Sequence, residues 1–119
     1  MTAADLAKLI KKKYNVIPDY PWLGDSVAVF RHPISQKWFA LLMLIPERFI
    51  GINGDRVIPV VNLKAVHIGD LVREPGIYYA YHMNKQHWIS VDLREMNEKK
   101  ISVLLEMSFN LTLQRKDRI

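Results

Sequence analysis

The chain of 119 residues is half hydrophobic and 24% charged, with a formal net charge of +5. That length and balance describe one globular domain, residues 1–119, able to bury its own core. The chain has no cysteine, which excludes disulfides, thiol catalysis and cysteine-based zinc sites, and no apolar run approaches the ~20 residues of a membrane-spanning helix.

Thr2 and Asp5 have the spacing of a capping box, and Ala3, Leu6, Leu9, Ile10 and Tyr14 recur at helical spacing. This predicts a helix over 2–14, whose Lys11, Lys12 and Lys13 suit the negative end of its dipole. Asp5, and the lack of an apolar stretch ahead of a small-residue cleavage site, argue against a signal peptide, and a cytoplasmic location is expected. Residues 15–25 read as a loop carrying Pro18 and Pro21, in which Trp22 plugs the core. A strand over 27–32, a turn over 33–36 and a return strand over 37–45 follow, with Pro46 as terminator. Gly51, Asn53 and Gly54 mark a loop. A third strand is expected over 57–64, and Pro59 within it suggests an edge position or a late start. Val66, Leu71 and Val72 suggest a short second helix, closed by Pro75 and Gly76. Residues 78–82 and 87–93 make a second hairpin, in which Trp88, Ser90 and Asp92 alternate with Ile89, Val91 and Leu93. Asn97 caps a last helix with Ile101, Leu104, Leu105 and Ser108 as its inner stripe, and the charged tail after Leu113 is expected to fray.

The order α-β-β-β-α-β-β-α implies an α+β fold. It is read as a two-layer sandwich, an antiparallel sheet of about five strands with helices on one face and the other face partly exposed.

The two hairpins echo one another. Phe30-Arg31-His32-Pro33-Ile34-Ser35-Gln36-Lys37-Trp38 and Tyr81-His82-Met83-Asn84-Lys85-Gln86-His87-Trp88 each run from a His through a polar turn to a Trp. Asn84 suits a turn, because Asn tolerates positive φ. Lys85 on a projecting turn can meet phosphate as a point charge at little desolvation cost. Arg31, Gln36 and Lys37 stand near the first tip. Neighbouring tips would pool these cations into one anion-attracting edge, and about four engaged cations would give a salt slope near −3.6. The same charges would also protect strand edges from aggregation. His32, His82 and His87 are the candidates for metal binding or acid–base work, with Asp92 and Glu47 as nearest carboxylates. Their spacing matches no zinc motif, and no phosphate-binding loop or nucleophile elbow is present, so no cofactor, metal or catalytic residue is assigned.

The segments Tyr20-Pro21-Trp22, Val29-Phe30-Arg31-His32, Lys37-Trp38-Phe39-Ala40, Asn62-Leu63-Lys64, Tyr81-His82-Met83-Asn84-Lys85 and His87-Trp88-Ile89 resemble the MmcQ/YjbR-like family. The resemblance implies a compact α+β fold like that of secretion chaperones and frataxin-like proteins. It also implies DNA binding by two hairpins acting as a double wing. The chain departs from the family pattern at Lys64-Ala65-Val66-His67, where a Pro often opens the second helix. The resulting expectation is a non-enzymatic protein that binds DNA. Arg31, Gln36, Lys37 and Lys85 would contact the backbone, Lys64 would extend the basic surface, and His32, Asn84, Gln86 and His87 would position or read. The alternative is a protein-interaction module, with a peptide partner or a homodimer on the open sheet face.

Overall fold

The computed structural model describes residues 1–22 and 27–118. The first helix, α1, runs Ala3–Tyr14 behind a complete capping box between Thr2 and Asp5, and Asn15 closes it in the left-handed conformation. Strands β1 (Ala28–Arg31), β2 (Trp38–Pro46) and β3 (Val57–Lys64) follow, then a four-residue helix α2 (Ile68–Leu71). Strands β4 (Ile77–Tyr79) and β5 (Trp88–Asp92) precede the last helix, α3 (Glu98–Thr112), whose first turn is capped by Asn97. The part of the expected 15–25 loop at 23–25 lies outside the described residues.

The five strands form one antiparallel sheet in the order β1-β2-β3-β5-β4. β3 is therefore the middle strand. Pro59 is tolerated because it faces only Leu44 of β2, whereas the pairing of β3 with β5 begins at Val60. A missing N–H there costs no rung on the second side. β3 starts at Val57, so the expected late start is not seen, and Pro59 instead sits in the first three residues of β3, which have a strand on one side only and are edge-like although the strand is central.

Strand alternation sorts the side chains into two layers. Ala28, Phe30, Leu42, Val61, Leu63, Ile89 and Val91 pack under α1 and α3 with Leu6, Ile10, Ile101 and Leu105. On the other face Val29, Leu41, Met43, Ile45, Ile58 and Val60 form a second apolar cluster, flanked by Trp38, Tyr81, Met83 and Trp88. The face left free by the helices is thus apolar, and it is covered in part by the chain's own loops.

Several local expectations change. Trp22 does not plug the core. It is 43% exposed and sets its ring edge-on to Trp38, 5.8 Å between centroids. The strand expected over 78–82 ends at Tyr79, because residues from Ala80 on leave the sheet edge and fold over the open face. The second helix is shorter than expected and begins after His67, which lies at φ 55 with no side-chain cap. The tail does not fray: Arg115–Arg118 form a 3-10 turn whose Asp117 accepts hydrogen bonds from the Ser35 backbone amide and hydroxyl at 2.8 and 2.7 Å.

One hydroxyl ties the layers together. The Lys64 amide donates to Ser108 Oγ at 2.8 Å, and that hydroxyl donates to the Phe39 carbonyl at 2.6 Å. Phe39 and Lys64 are the next partners after the Ala40–Leu63 pair. Ser108 therefore takes the place of the next rung, and β2 and β3 part around it. Ser108→Ala leaves a buried amide and a buried carbonyl without partners, which costs about 1–3 kcal/mol. Urea unfolding should show a lower midpoint with an unchanged slope.

Candidate functional site

β2 and β5 both run antiparallel to β3, so they begin at the same end of the sheet. The turn 32–37 and the loop 80–87 therefore emerge at one end, on either side of Lys64, the last residue of β3. Trp88 pairs directly with Lys64. Where β2 and β3 part around Ser108, a groove of about 340 Å³ opens, lined by Gln36, Lys37, Trp38, Lys64, Trp88 and Thr112 among others.

The residues singled out in the sequence divide by what they touch. Lys37 is exposed and Lys64 half-buried, and among the described residues neither has an acidic partner. Arg31 is different. Its Nε and a terminal nitrogen donate to the Asp19 carboxylate at 3.0 and 3.3 Å, and its guanidinium lies 5.6 Å from the Trp38 ring centre. Its charge is matched by Asp19 before any ligand arrives. Gln36 holds the first turn, with its side-chain amide donating to the Pro33 carbonyl at 2.9 Å and its own φ at 65. Asn84 holds the second loop by accepting from the Gln86 amide at 2.7 Å, while the positive φ expected of it falls on His82 at 57. Lys85 donates to the Ala80 carbonyl at 2.8 Å, which fixes its position but leaves its charge uncancelled. His87 and Gln86 are exposed, and the His87 carbonyl accepts from the Ala65 amide.

His32 lies inside the protein. It is fully buried on the helix side, against Phe39 and Phe109, with Nε2 2.8 Å from Thr112 Oγ1. Strand alternation held the signal for this, since Ala28, Phe30 and His32 share one parity. In this arrangement His32 supports the first turn and has no surface to present to a ligand. His82 lies across the sheet from it, on the open face. Among the described residues no three His, Cys, Asp or Glu side chains gather as a metal site. The two carboxylates nearest the histidines in sequence are occupied: Asp92 binds Arg94 at 2.9 Å, and Glu47 accepts from the Arg56 amide at 3.0 Å.

The second feature of the site was not legible from spacing. On the open face, Trp22, Trp38, Leu41, Met43, Tyr81 and Met83, with Val27, Asn62 and His82, enclose a bowl of about 380 Å³. Its far wall is held by a closed ring of hydrogen bonds. The Tyr81 amide donates to Ser90 Oγ at 2.9 Å, the Ser90 hydroxyl donates to Asn62 Oδ1 at 2.5 Å, and Asn62 Nδ2 donates to the Tyr81 carbonyl at 2.8 Å. Ser90 and Asn62 are fully buried neighbours on β5 and β3. Their polarity in an apolar layer is satisfied only by the returning loop, which is why residues 81–83 lie down on the sheet. Tyr81 also stacks on Phe49, 5.1 Å between centroids.

Residues 11–111 match the family model described as YjbR. The chain belongs to the YjbR family. Within reach of the family, YyaQ of Bacillus subtilis (strain 168) is 40% identical over 117 residues, covering 94% of this chain and 98% of that protein. YbdF of Escherichia coli O157:H7 is 39% identical over 62 residues, 49% of this chain and 51% of that protein. A crystal structure of a Pseudomonas syringae protein, 47% identical, superposes with a TM-score of 0.91 over 95% of this chain and all of that one. The Deinococcus radiodurans protein DR2400, 21% identical, shares the fold alone at a TM-score of 0.72, over 98% of this chain and 85% of that one.

In this YjbR-family chain two titrating groups clamp the first turn. Burial pushes the His32 imidazole below its ordinary 6.5, with the Asp117 charge acting the other way. Desolvation acts to raise the Asp117 carboxyl, but hydrogen bonds from the Ser35 side chain and from the Gln114 and Ser35 amides outweigh it and hold it at about 2. The unfolded chain therefore takes up a proton at His32 more readily than the folded one does. The stability that neutral His32 contributes is complete above pH 6.5 and is lost as pH falls below it toward the lowered folded value. Urea unfolding at a series of pH values should show this decline, and His32→Gln should flatten it.

Proposed function

We propose that this protein binds nucleic acid, DNA in the first instance, through phosphate contacts at the end of the sheet, as a non-enzymatic protein of the cytoplasm. The observation that carries the reading is the pair of lysines, Lys37 and Lys64, that have no acidic partner among the described residues and share one groove between two turns. Lys85 adds a charge from the second loop. Asp117 brings the turn bearing Arg115, Lys116 and Arg118 against Ser35 of the first. The Arg94 cation, in contrast, sits between Asp92 and Glu47, 2.9 and 3.6 Å away. A groove lined by uncancelled lysines attracts a polyanion and releases its counterions. The turns would straddle the backbone as two wings, with Gln36 and Asn84 fixing their shapes and Gln86 and His87 free to touch bases.

Arg31 is removed from the expected contacts by Asp19, so three lysines (37, 64 and 85) are the count to test. Binding of a labelled duplex should weaken with salt at a slope of about −2.7 on logarithmic axes, three times 0.9. Lys37→Ala with Lys64→Ala should reduce the slope by about 1.8 and weaken binding similarly for every sequence. Arg31→Ala should change affinity far less. Binding that ignores salt, or survives the double substitution unchanged, would overturn the proposal.

A further inference from the structure

The bowl on the open face is unused by the phosphate contacts, yet it adjoins them. Trp38 lines both the basic groove and the bowl, forming the wall between them. Asn62 at the bowl and Lys64 at the groove lie on one face of one strand, two residues apart and so about 7 Å. That is the scale on which a nucleotide separates its phosphate from its base.

We propose that the bowl takes one unpaired nucleobase of a strand whose phosphates lie in the groove, so that single strands bind more tightly than duplex. This rests on the nucleic-acid reading above and names the form of nucleic acid that the site selects. Three features fit a flat aromatic ring. The bowl is walled by Trp22 and Trp38 on one side and by Tyr81 and Met83 on the other, over a floor of Leu41 and Met43. Trp22, 43% exposed and edge-on to Trp38, has ring surface free for stacking. Methionine sulfur packs well against aromatic faces. At the rim, His82 is exposed, and among the described residues no hydrogen bond occupies its ring nitrogens, which can meet a base edge. The far wall is held by the Asn62–Ser90–Tyr81 ring, so that wall stands formed before a ligand enters. A paired base would have to leave its stack to enter, which sets duplex at a disadvantage. The continuity of the bowl with lysines that have no acidic partner among the described residues favours a base on a phosphodiester strand over an apolar peptide side chain.

The test compares three labelled probes of equal length by fluorescence anisotropy at low salt: an oligo-dT strand, an abasic phosphodiester strand and a duplex. The oligo-dT strand should bind about tenfold more tightly than the other two. Trp22→Ala should bring it down to the abasic level while leaving abasic and duplex binding unchanged, and Trp22→Phe should restore most of the difference. Far-UV circular dichroism of each variant checks that the fold is intact. If oligo-dT, abasic strand and duplex bind equally with steep salt dependence, the base site is overturned and the phosphate reading stands. Equal weakening of all three probes by Trp22→Ala overturns the base site as well. If none of the three binds, both readings fall.

Discussion

The register of β3 sets everything at the site. It is the middle strand, paired with β2 from Val57 to Leu63 and with β5 from Val60 to Lys64. Val61 and Leu63 go under the helices, while Asn62 and Lys64 go to the open face. A slip of one residue would bury Lys64 against α3 and turn Leu63 outward, so burial of the helix-side layer also fixes where the groove lysine stands. The parallel relation of β2 to β5 follows from the same strand, and with it the emergence of both turns at one end.

Buried polar groups then shape what the apolar layers alone would leave flat. Ser108 reaches from α3 into the last rung between β2 and β3 and holds the strands apart there. Asn62 and Ser90, side by side on the open face, draw the loop after β4 down onto the sheet. In each case a side-chain group satisfies a backbone group that would otherwise be buried unpaired, and the local geometry becomes specific as a result. The groove depends on the first of these contacts and the far wall of the bowl on the second.

Much of the fold was legible because its signals are local. The Thr2–Asp5 capping box, the Asn97 cap, the Ile101–Leu105–Ser108 stripe and the alternation through 88–93 each act within a few residues, and each is realised. What was not legible depends on contacts distant in sequence. Tyr81 leaves the sheet for the sake of Ser90 and Asn62, nine and nineteen residues away. The tail is ordered by Asp117 meeting Ser35, eighty-two residues away. Trp22 looked like a core residue by type alone, and its place beside Trp38 follows from the isolated Asp19–Val29 bridge that lays the preceding loop along β1. His32 is the exception, because its parity with Phe30 is a local signal that already places it on the helix side.

Charge at the sheet end is sorted by partners more than by composition. A count of cations near the first turn would place Arg31 beside Lys37 as an equal, yet Arg31 faces a carboxylate in bidentate contact and an indole besides. The bidentate contact cancels the guanidinium's field where it stands, even though Asp19 itself is half exposed and the pair is worth little to stability. Among the described residues Lys85 bonds only to a neutral carbonyl, so its field still reaches outward. The first turn is further fixed by Asp117, an acid whose neighbours in the chain are Lys116 and Arg118. Asp117 is thus turned inward onto Ser35 while flanking cations accompany it to the same region. An acid used to dock a basic segment raises the positive character of the surface it stabilises, which is how a chain of modest net charge can concentrate its excess at one end.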